Sequence, residues 1–415
     1  LIPNEDSQRA VGCIGRRIIE AHGVHTRTVS KAESNKAVRQ GIPTMRYVFF
    51  TNTPAHVHLY KHVVRRLQAE GHAVSVMARD YGCTTALLDW HGIDHTVYGG
   101  CDTTRWSLLG RLPHHYLHIV SHTRAFDPDV IFGMGAYAAH AGALTRTPTV
   151  LVLDSEPTGI DHAVSMPFAR TIVTPQAFQK DLGTNHYVFA GFKESAYLHP
   201  EVYEPSTDIR ERLGLGASDR YVLVRFNAFG SHHDVGQGGF SDEQRRTLIE
   251  RLADHATVFV SDEGGTLSLD SLPARPFDDH PGVLHDALAE ASLLVADTQT
   301  MVTEAALLGT PAIRSNSFVG PDDMGNFLEL ESNGLVYNLQ SFDTVLKTAE
   351  RLLNRPNLET EWRRKRDRYV VDMVNLSSVL TSLARASGDT AAVEELHPRP
   401  HVPERSTPRP PRQEN

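Results

Sequence analysis

The chain has 415 residues, 40% of them hydrophobic, which is room for two ordinary domains that each bury a core of their own. Its 41 Lys and Arg against 50 Asp and Glu give a net charge of −9 with no long basic block, which argues against nucleic acid as a partner. Cys13, Cys83 and Cys101 lack CxxC spacing, so neither a disulfide framework nor structural zinc is expected, and the absence of an unbroken apolar run of helix-spanning length argues against a transmembrane segment.

Residues 1–44 are polar and weakly periodic, and Met45 directly precedes the strand-like run YVFF; these residues are read as an extension outside the fold. From Arg46 the pattern runs strand, loop, amphipathic helix over about 57–70, a left-handed stop at Gly71 and a second strand, which is a βαβ unit. Strand-like runs recur at about 129–132 and 149–153 behind helical stretches or turn signals. A parallel sheet follows, within an N-terminal domain over 45–195. Residues 196–218 are proline- and glycine-punctuated and read as a linker. Alternation restarts with RYVLVRF, SDEQRRTLIERLADH, TVFVSDEGG, GVLHDALAEA, SLLVAD and PAIRSN, giving a second domain over 219–357. A helix over 358–385 follows, and the Pro/Arg-rich residues 386–415 are expected to be disordered. The predicted architecture is α/β, two doubly wound Rossmann-like domains facing a cleft, with ligands at the carboxyl ends of the strands.

The stretch VADTQTMVTEAALLGTPAI is the richest in chemistry. SLLVAD ends at a sheet edge, so Thr298, Gln299 and Thr300 form a βα loop whose following helix points free N–H groups and a positive dipole end at the cleft. Such an arrangement seats a pyrophosphate. Thr298 and Thr300 can cap the helix or donate hydroxyls to phosphate, and Glu304 is placed to accept from ribose hydroxyls. The ordinary alternative is a well-capped crossover helix. Arg225 and Arg314 each end a strand of the second domain, where a guanidinium would meet phosphate or sugar. His232 and His233, in the glycine-rich NAFGSHHDVGQGGF, are candidate donor-sugar contacts or plain loop residues; no metal is expected there. In the first domain His56 and His58 follow the first strand and are candidate bases for an acceptor hydroxyl. Asp154 and Glu156 in VLVLDSEPTG compete for that role. Gly133 and Gly135 permit close ligand approach, but the GxGxxG of a nicotinamide site is incomplete.

The order strand, Asp-hydroxyl loop, Glu-Ala in the helix and Gly-x-Pro resembles the nucleotide-binding motif of GT-B glycosyltransferases and of the non-hydrolysing UDP-N-acetylglucosamine 2-epimerases. More closely, TNTPAHVH at 51–58, VLVRFNAFGSHHD at 222–234 and ADTQTMVTEAALLGTPAIRSNSFVG at 296–320 resemble a largely archaeal GT-B-like family known as a domain of unknown function, over roughly Met45 to Leu383. The epimerases carry Ser-Gly-Gly in the loop and a Glu-Glu pair in the helix; here Thr298, Gln299 and Thr300 replace the loop and Thr303-Glu304 the pair. The resemblance thus gives Glu304 a ribose-binding role. Epimerase chemistry is disfavoured, because the family's Gly-Asp-Thr aspartate falls near Met134-Gly135 and its His-Arg-Arg-Glu-Asn motif has no counterpart after Val224.

The expected function is a glycosyltransferase that takes a nucleoside-diphosphate sugar, UDP-linked, and builds a surface glycan or a lipid-linked sugar in polysaccharide biosynthesis, without a cofactor. Arg225 and the helix near Thr300 would stabilise the departing diphosphate while His56, His58 or Glu156 activates the acceptor. An epimerase or hydrolase acting on the donor alone, and a nucleotide-sugar binding protein without turnover, are the alternatives. A cytoplasmic location fits the composition, with peripheral contact at a membrane face left open by the lipid-linked acceptor.

Overall fold

The computed structural model describes residues 44–100, 105–227 and 238–400. The expectations for residues 1–43 and 401–415, and those for His232 and His233, fall outside these. The first sheet contains Arg46–Thr51 (β1), Ala73–Asp80 (β2), His95–Gly100 (β3), Val130–Gly133 (β4), Thr149–Val152 (β5), Thr171–Pro175 (β6) and His186–Phe189 (β7). The second contains Tyr221–Phe226 (β8), Thr257–Asp262 (β9), Ala274–Pro276 (β10), Leu293–Ala296 (β11), Ala312–Arg314 (β12) and Val336–Asn338 (β13). A last short strand, His397–Pro398 (β14), returns to the first sheet.

The orders are β14-β7-β6-β5-β4-β1-β2-β3 and β10-β9-β8-β11-β12-β13. Every pairing is parallel except β14 on β7. Helices cover both faces, so central strands are buried on both sides and their sequences are continuously apolar: Tyr47, Val48, Phe49 and Phe50 have no exposed surface. In β11, Leu294 and Ala296 face one core while Leu293 and Val295 face another, as period-two alternation requires. Strand order reverses between β1 and β4 and between β8 and β11, and these switch points are where loops open a crevice at the carboxyl edge of each sheet.

The first helix is Pro54–Ala69, beginning earlier than periodicity implied because Pro54 pre-sets the first turn, and Gly71 ends it at φ +88°. The helix Asp242–Ala253 starts in a reciprocal capping box between Ser241 and Gln244. The helix expected over 358–385 is two, Leu358–Val370 and Leu376–Arg385. The second crosses back to the first half of the chain and packs on Pro54–Ala69, where the Tyr47 hydroxyl donates to the Ala384 carbonyl. Disorder from residue 386 is corrected as well. Val393 and Leu396 are buried, Thr171 donates to the Gly388 carbonyl, and β14 pairs with β7 as far as Pro398. These apolar anchors sit in AAVEELHP, ahead of the proline-rich composition. No helix among the described residues is long and apolar enough to cross a membrane.

The halves meet through a polar clasp. Glu156 Oε1 accepts from the backbone N–H of Gln179 and of Gly325, both at 3.1 Å, and the Gln179 side chain donates to the Asp323 carbonyl. Gly325 opens the helix Gly325–Ser332 against the backbone of the first half, and a Cβ there would lie 1.8 Å from the Ala177 carbonyl oxygen. Gly325→Ala is therefore expected to lower unfolding free energy by about 1–3 kcal/mol in a urea titration; an unchanged midpoint would show that this contact is not made in solution.

Candidate functional site

Both switch points turn toward one cleft. On the second sheet, the chain leaves β11 through Asp297 and enters the helix Thr300–Leu308. Asp297 is fully buried; it accepts from the N–H of Asn227 at 2.6 Å and of Phe240 at 3.3 Å, and burial pushes its carboxyl up to about 6. It thus brackets the loop edges instead of facing a ligand. Gln299 is the helix N-cap and no side chain caps the helix, contrary to the capping role read for the threonines. The Thr298 hydroxyl is buried with no partner. An uncapped first turn beside an unpaired hydroxyl leaves donors for an anion.

The Arg225 side chain ends β8 as expected, donating to Ser261 Oγ at 2.6 Å and pairing with Glu263 at 2.8 Å. Its charge reaches across the cleft to Cys83, where burial raises the thiol and Arg225 works in the opposite sense. Arg314 is corrected: although it ends β12, its side chain has no exposed surface, pairs with Asp323 and lies 3.6 Å over the Phe327 ring. It supports the sheet edge and does not reach phosphate or sugar. A polar cavity of about 340 Å³, lined by Gly239, Gln244, Asn316 and Gln340 among others, opens at the carboxyl edge of this sheet, beside the starts of the helices Asp242–Ala253 and Phe342–Leu353.

Glu304 is corrected too. Its Oε1 accepts from the Tyr197 hydroxyl at 2.8 Å and from His285 Nε2 at 3.0 Å, with the residue 3% exposed. Burial works to raise this carboxyl, but the His285 charge and the two hydrogen bonds outweigh it and hold it below its ordinary value. Both bonds fall on Oε1, so this oxygen of Glu304 serves the packing of the halves. His58 lies in the same cluster, its ring centre 4.5 Å from that of His285 and 5.3 Å from that of Tyr197, and its Nδ1 has no partner. Burial, then the neighbouring His285, drive its pKa well down. It is a packed histidine between the halves and no base for an acceptor.

His56 stays at the cleft, half-buried. Its Nδ1 accepts from the Asn52 N–H at 3.2 Å, so the neutral ring carries its proton on Nε2 and presents a donor to the cleft. Enclosure and the nearby Lys193 ammonium lower its pKa, against the pull of Asp154. Both facts oppose the base role expected of it. Glu156 is committed to the clasp already described, and its Oε2 is buried without a partner.

What the cleft offers instead is a charge cluster that includes two residues the sequence reading passed over. Lys193 Nζ lies 2.5 Å from Asp154 Oδ2 and 3.6 Å from Glu194 Oε1. Lys193 and Glu194 are 6% and 3% exposed, while the Asp154 side chain keeps 19% of its surface open. Burial works against the Lys193 charge, but Asp154 and Glu194 outweigh it and hold the ammonium above its usual value. Glu194 is pushed up to about 7 by burial, against the pull of Lys193 and with repulsion from Asp154 and Glu304. The signal was GFKES directly after β7: Gly191 turns at φ +128° and lays Lys193 back over the sheet edge. The turn Ser195–Leu198 that follows packs on the helix Thr300–Leu308, so the ion pair lies next to the element that carries Glu304.

Two facing, parallel-stranded α/β sheets with a cleft at their carboxyl edges define the GT-B architecture, and comparison with solved structures bears this out. S. aureus MnaA in complex with UDP superposes with a TM-score of 0.61 at 11% identity over 84% of this chain and 98% of that one. The spinosyn forosaminyltransferase SpnP gives 0.59 at 13% over 84% and 100%, and the UDP-GlcNAc 2-epimerase of Neisseria meningitidis bound to UDP-GlcNAc gives 0.51 at 11% over 77% and 99%. Residues 46–376 match the family model described as a protein of unknown function, DUF354, and the chain belongs to that family. No curated protein matches it by sequence.

The depressed histidines set an acid limit. Unfolded, His58 and His186 take a proton near their ordinary value of 6.5; folded, His58 resists far below that, and burial with the Arg399 charge lowers His186 to about 4. Through these two groups the unfolded chain binds more protons between those limits, so their contribution to stability falls as pH is lowered from about 6.5 toward about 4, against the opposite contribution of the raised Glu194 and Asp297 carboxyls. Relative to the parent, His58→Phe should lose less melting temperature as pH is taken from about 6.5 toward about 4; an identical pH dependence in parent and variant would mean His58 titrates normally when folded.

Proposed function

We propose that this chain is a GT-B glycosyltransferase that transfers a sugar from a nucleoside-diphosphate sugar, UDP-linked, to a surface-glycan or lipid-linked acceptor. The observation that carries it is the uncapped start of the helix Thr300–Leu308, with the unpartnered Thr298 hydroxyl, at the β8/β11 switch point of a GT-B fold. Its neighbours of the same architecture include structures holding UDP and UDP-GlcNAc. In this reading the first-turn N–H groups and Arg225 receive the diphosphate, with Thr298, Gln299 and Thr300 lining its seat. Arg225 must exchange its Glu263 partner for phosphate, which the half-exposed position of Glu263 permits.

Asp154 takes the base role that His56, His58 and Glu156 do not suit. Lys193 fixes its carboxylate, which keeps part of its surface open in the loop after β5. The acceptor hydroxyl gives its proton to Asp154 as its oxygen bonds to the anomeric carbon, while the bond from that carbon to phosphate breaks and the diphosphate leaves with the electron pair. The His56 Nε2–H can donate to a sugar or phosphate oxygen during that step.

UDP should raise the melting temperature of the full chain, and Arg225→Ala should weaken that stabilisation by about tenfold or more in nucleotide concentration. With an accepted acceptor, Asp154→Asn should lower turnover by about 10²–10⁴-fold and leave UDP binding in place. If no nucleoside diphosphate shifts the melting temperature, the donor reading fails; if the sugar nucleotide is consumed without an acceptor, the chain is an epimerase or hydrolase.

A further inference from the structure

Five of the exposed apolar side chains of the first half gather on one face of the fold. Ile160 is 85% exposed and Leu117 72%, with Leu144, Val164 and Phe168 also open to solvent. They belong to neighbouring helices: Arg105–Phe126 packs on Ala136–Thr145, which packs on Gly159–Ser165 and on the turn Met166–Phe168. Contacts make the face continuous. His140 Nε2 bonds the Val164 carbonyl and its ring meets Phe168 edge-on at 5.3 Å; Leu144 is one helical turn beyond His140; Arg124 donates to the Leu144 carbonyl and shares a face with Leu117 two turns before it. Single exposed apolar residues are ordinary, but a connected set marks an interaction surface.

The charge around this face selects the partner. The helices Arg105–Phe126 and Ala136–Thr145 contain no acidic residue, in a chain whose net charge is −9. Exposed Arg124, Arg146 and Arg170 rim the apolar set, the last two across a shallow concavity that also includes Phe168. The one carboxylate of the helix Gly159–Ser165, Asp161, faces inward and accepts from the Ala136 N–H at 3.2 Å. We propose that this face docks on an anionic lipid bilayer, the apolar side chains entering the headgroup boundary and the arginines meeting lipid phosphates. Ile160 stands at the start of a helix that follows the loop of Asp154, whereas Arg124, Arg146 and Arg170 precede β4, β5 and β6 at the opposite edge of the sheet, so the face runs along the flank of the first half from its cleft end to its far end. The proposal does not depend on the transferase reading, because binding to lipid needs no nucleotide.

Sedimentation of the full chain with vesicles, without nucleotide, tests it. The chain should pellet with vesicles of phosphatidylcholine mixed with phosphatidylglycerol and stay in solution with phosphatidylcholine alone, and added salt should release it. The double variants Arg146→Glu/Arg170→Glu and Ile160→Ser/Phe168→Ser, both on solvent-exposed positions, should keep the parent melting temperature and each lose about tenfold or more in affinity. Failure to pellet with the anionic vesicles, or parent-like binding by both variants, overturns the proposal. It is equally overturned if sedimentation equilibrium finds a parent dimer that Ile160→Ser/Phe168→Ser converts to monomer, since a second copy then covers this face.

Discussion

The relation between the two sheets depends on one buried carboxylate. Glu304 comes from the second half of the chain, and the hydroxyl that satisfies it, Tyr197, comes from the turn that leaves the first sheet; His285 completes the set from the next helix over. An ionised carboxylate at 3% exposure is costly to bury without partners, so these elements can close over Glu304 only because Tyr197 and His285 donate to it. The hydrogen bonds are the condition on which Glu304 is buried at all. They draw the helix Thr300–Leu308 against the turn Ser195–Leu198, and that approach brings a helix of one half beside the chain that carries Lys193 in the other.

The same low exposure that makes Glu304 structural makes Lys193 useful. A buried ammonium must keep company with anions, and the two it has are not equivalent: Glu194 is enclosed, whereas Asp154 retains an open side. Glu194 can therefore carry a proton near neutrality while Asp154 stays the member of the set that a ligand can touch. Asymmetry of surroundings, with two carboxylates flanking one cation, separates an enclosed group from an open one.

Much of this was legible in the sequence. Strong periodicity and turn chemistry gave the helix that begins at Pro54, its stop at Gly71, the strands YVLVRF and LLVA, and the position of Thr298 to Thr300 at a strand end. Short strands such as Thr171–Pro175, His186–Phe189 and Val336–Asn338 were not, because a handful of residues buried on both faces leaves no period to read. At the site, positions were readable and orientations were not. Arg314 and Glu304 occur where the pattern put them, but which way a side chain turns from a sheet edge depends on partners distant in sequence, Asp323 and Phe327 for one and Tyr197 and His285 for the other. The role of His56 likewise turned on a backbone N–H four residues away that decides which ring nitrogen holds the proton.

The helix Leu376–Arg385 and the strand β14 return the chain to the sheet in which it began. Two covalent crossings therefore connect the halves, one between β7 and β8 and one just before Leu376. A single tether would allow the halves to twist and roll about a point. Two tethers define a line, as a pair of hinges does for a door, and leave rotation about that line as the soft direction. Turning about that line would have to break the Glu156–Gly325 and Gln179–Asp323 hydrogen bonds, so the clasp acts as the latch of that door and keeps its two walls facing.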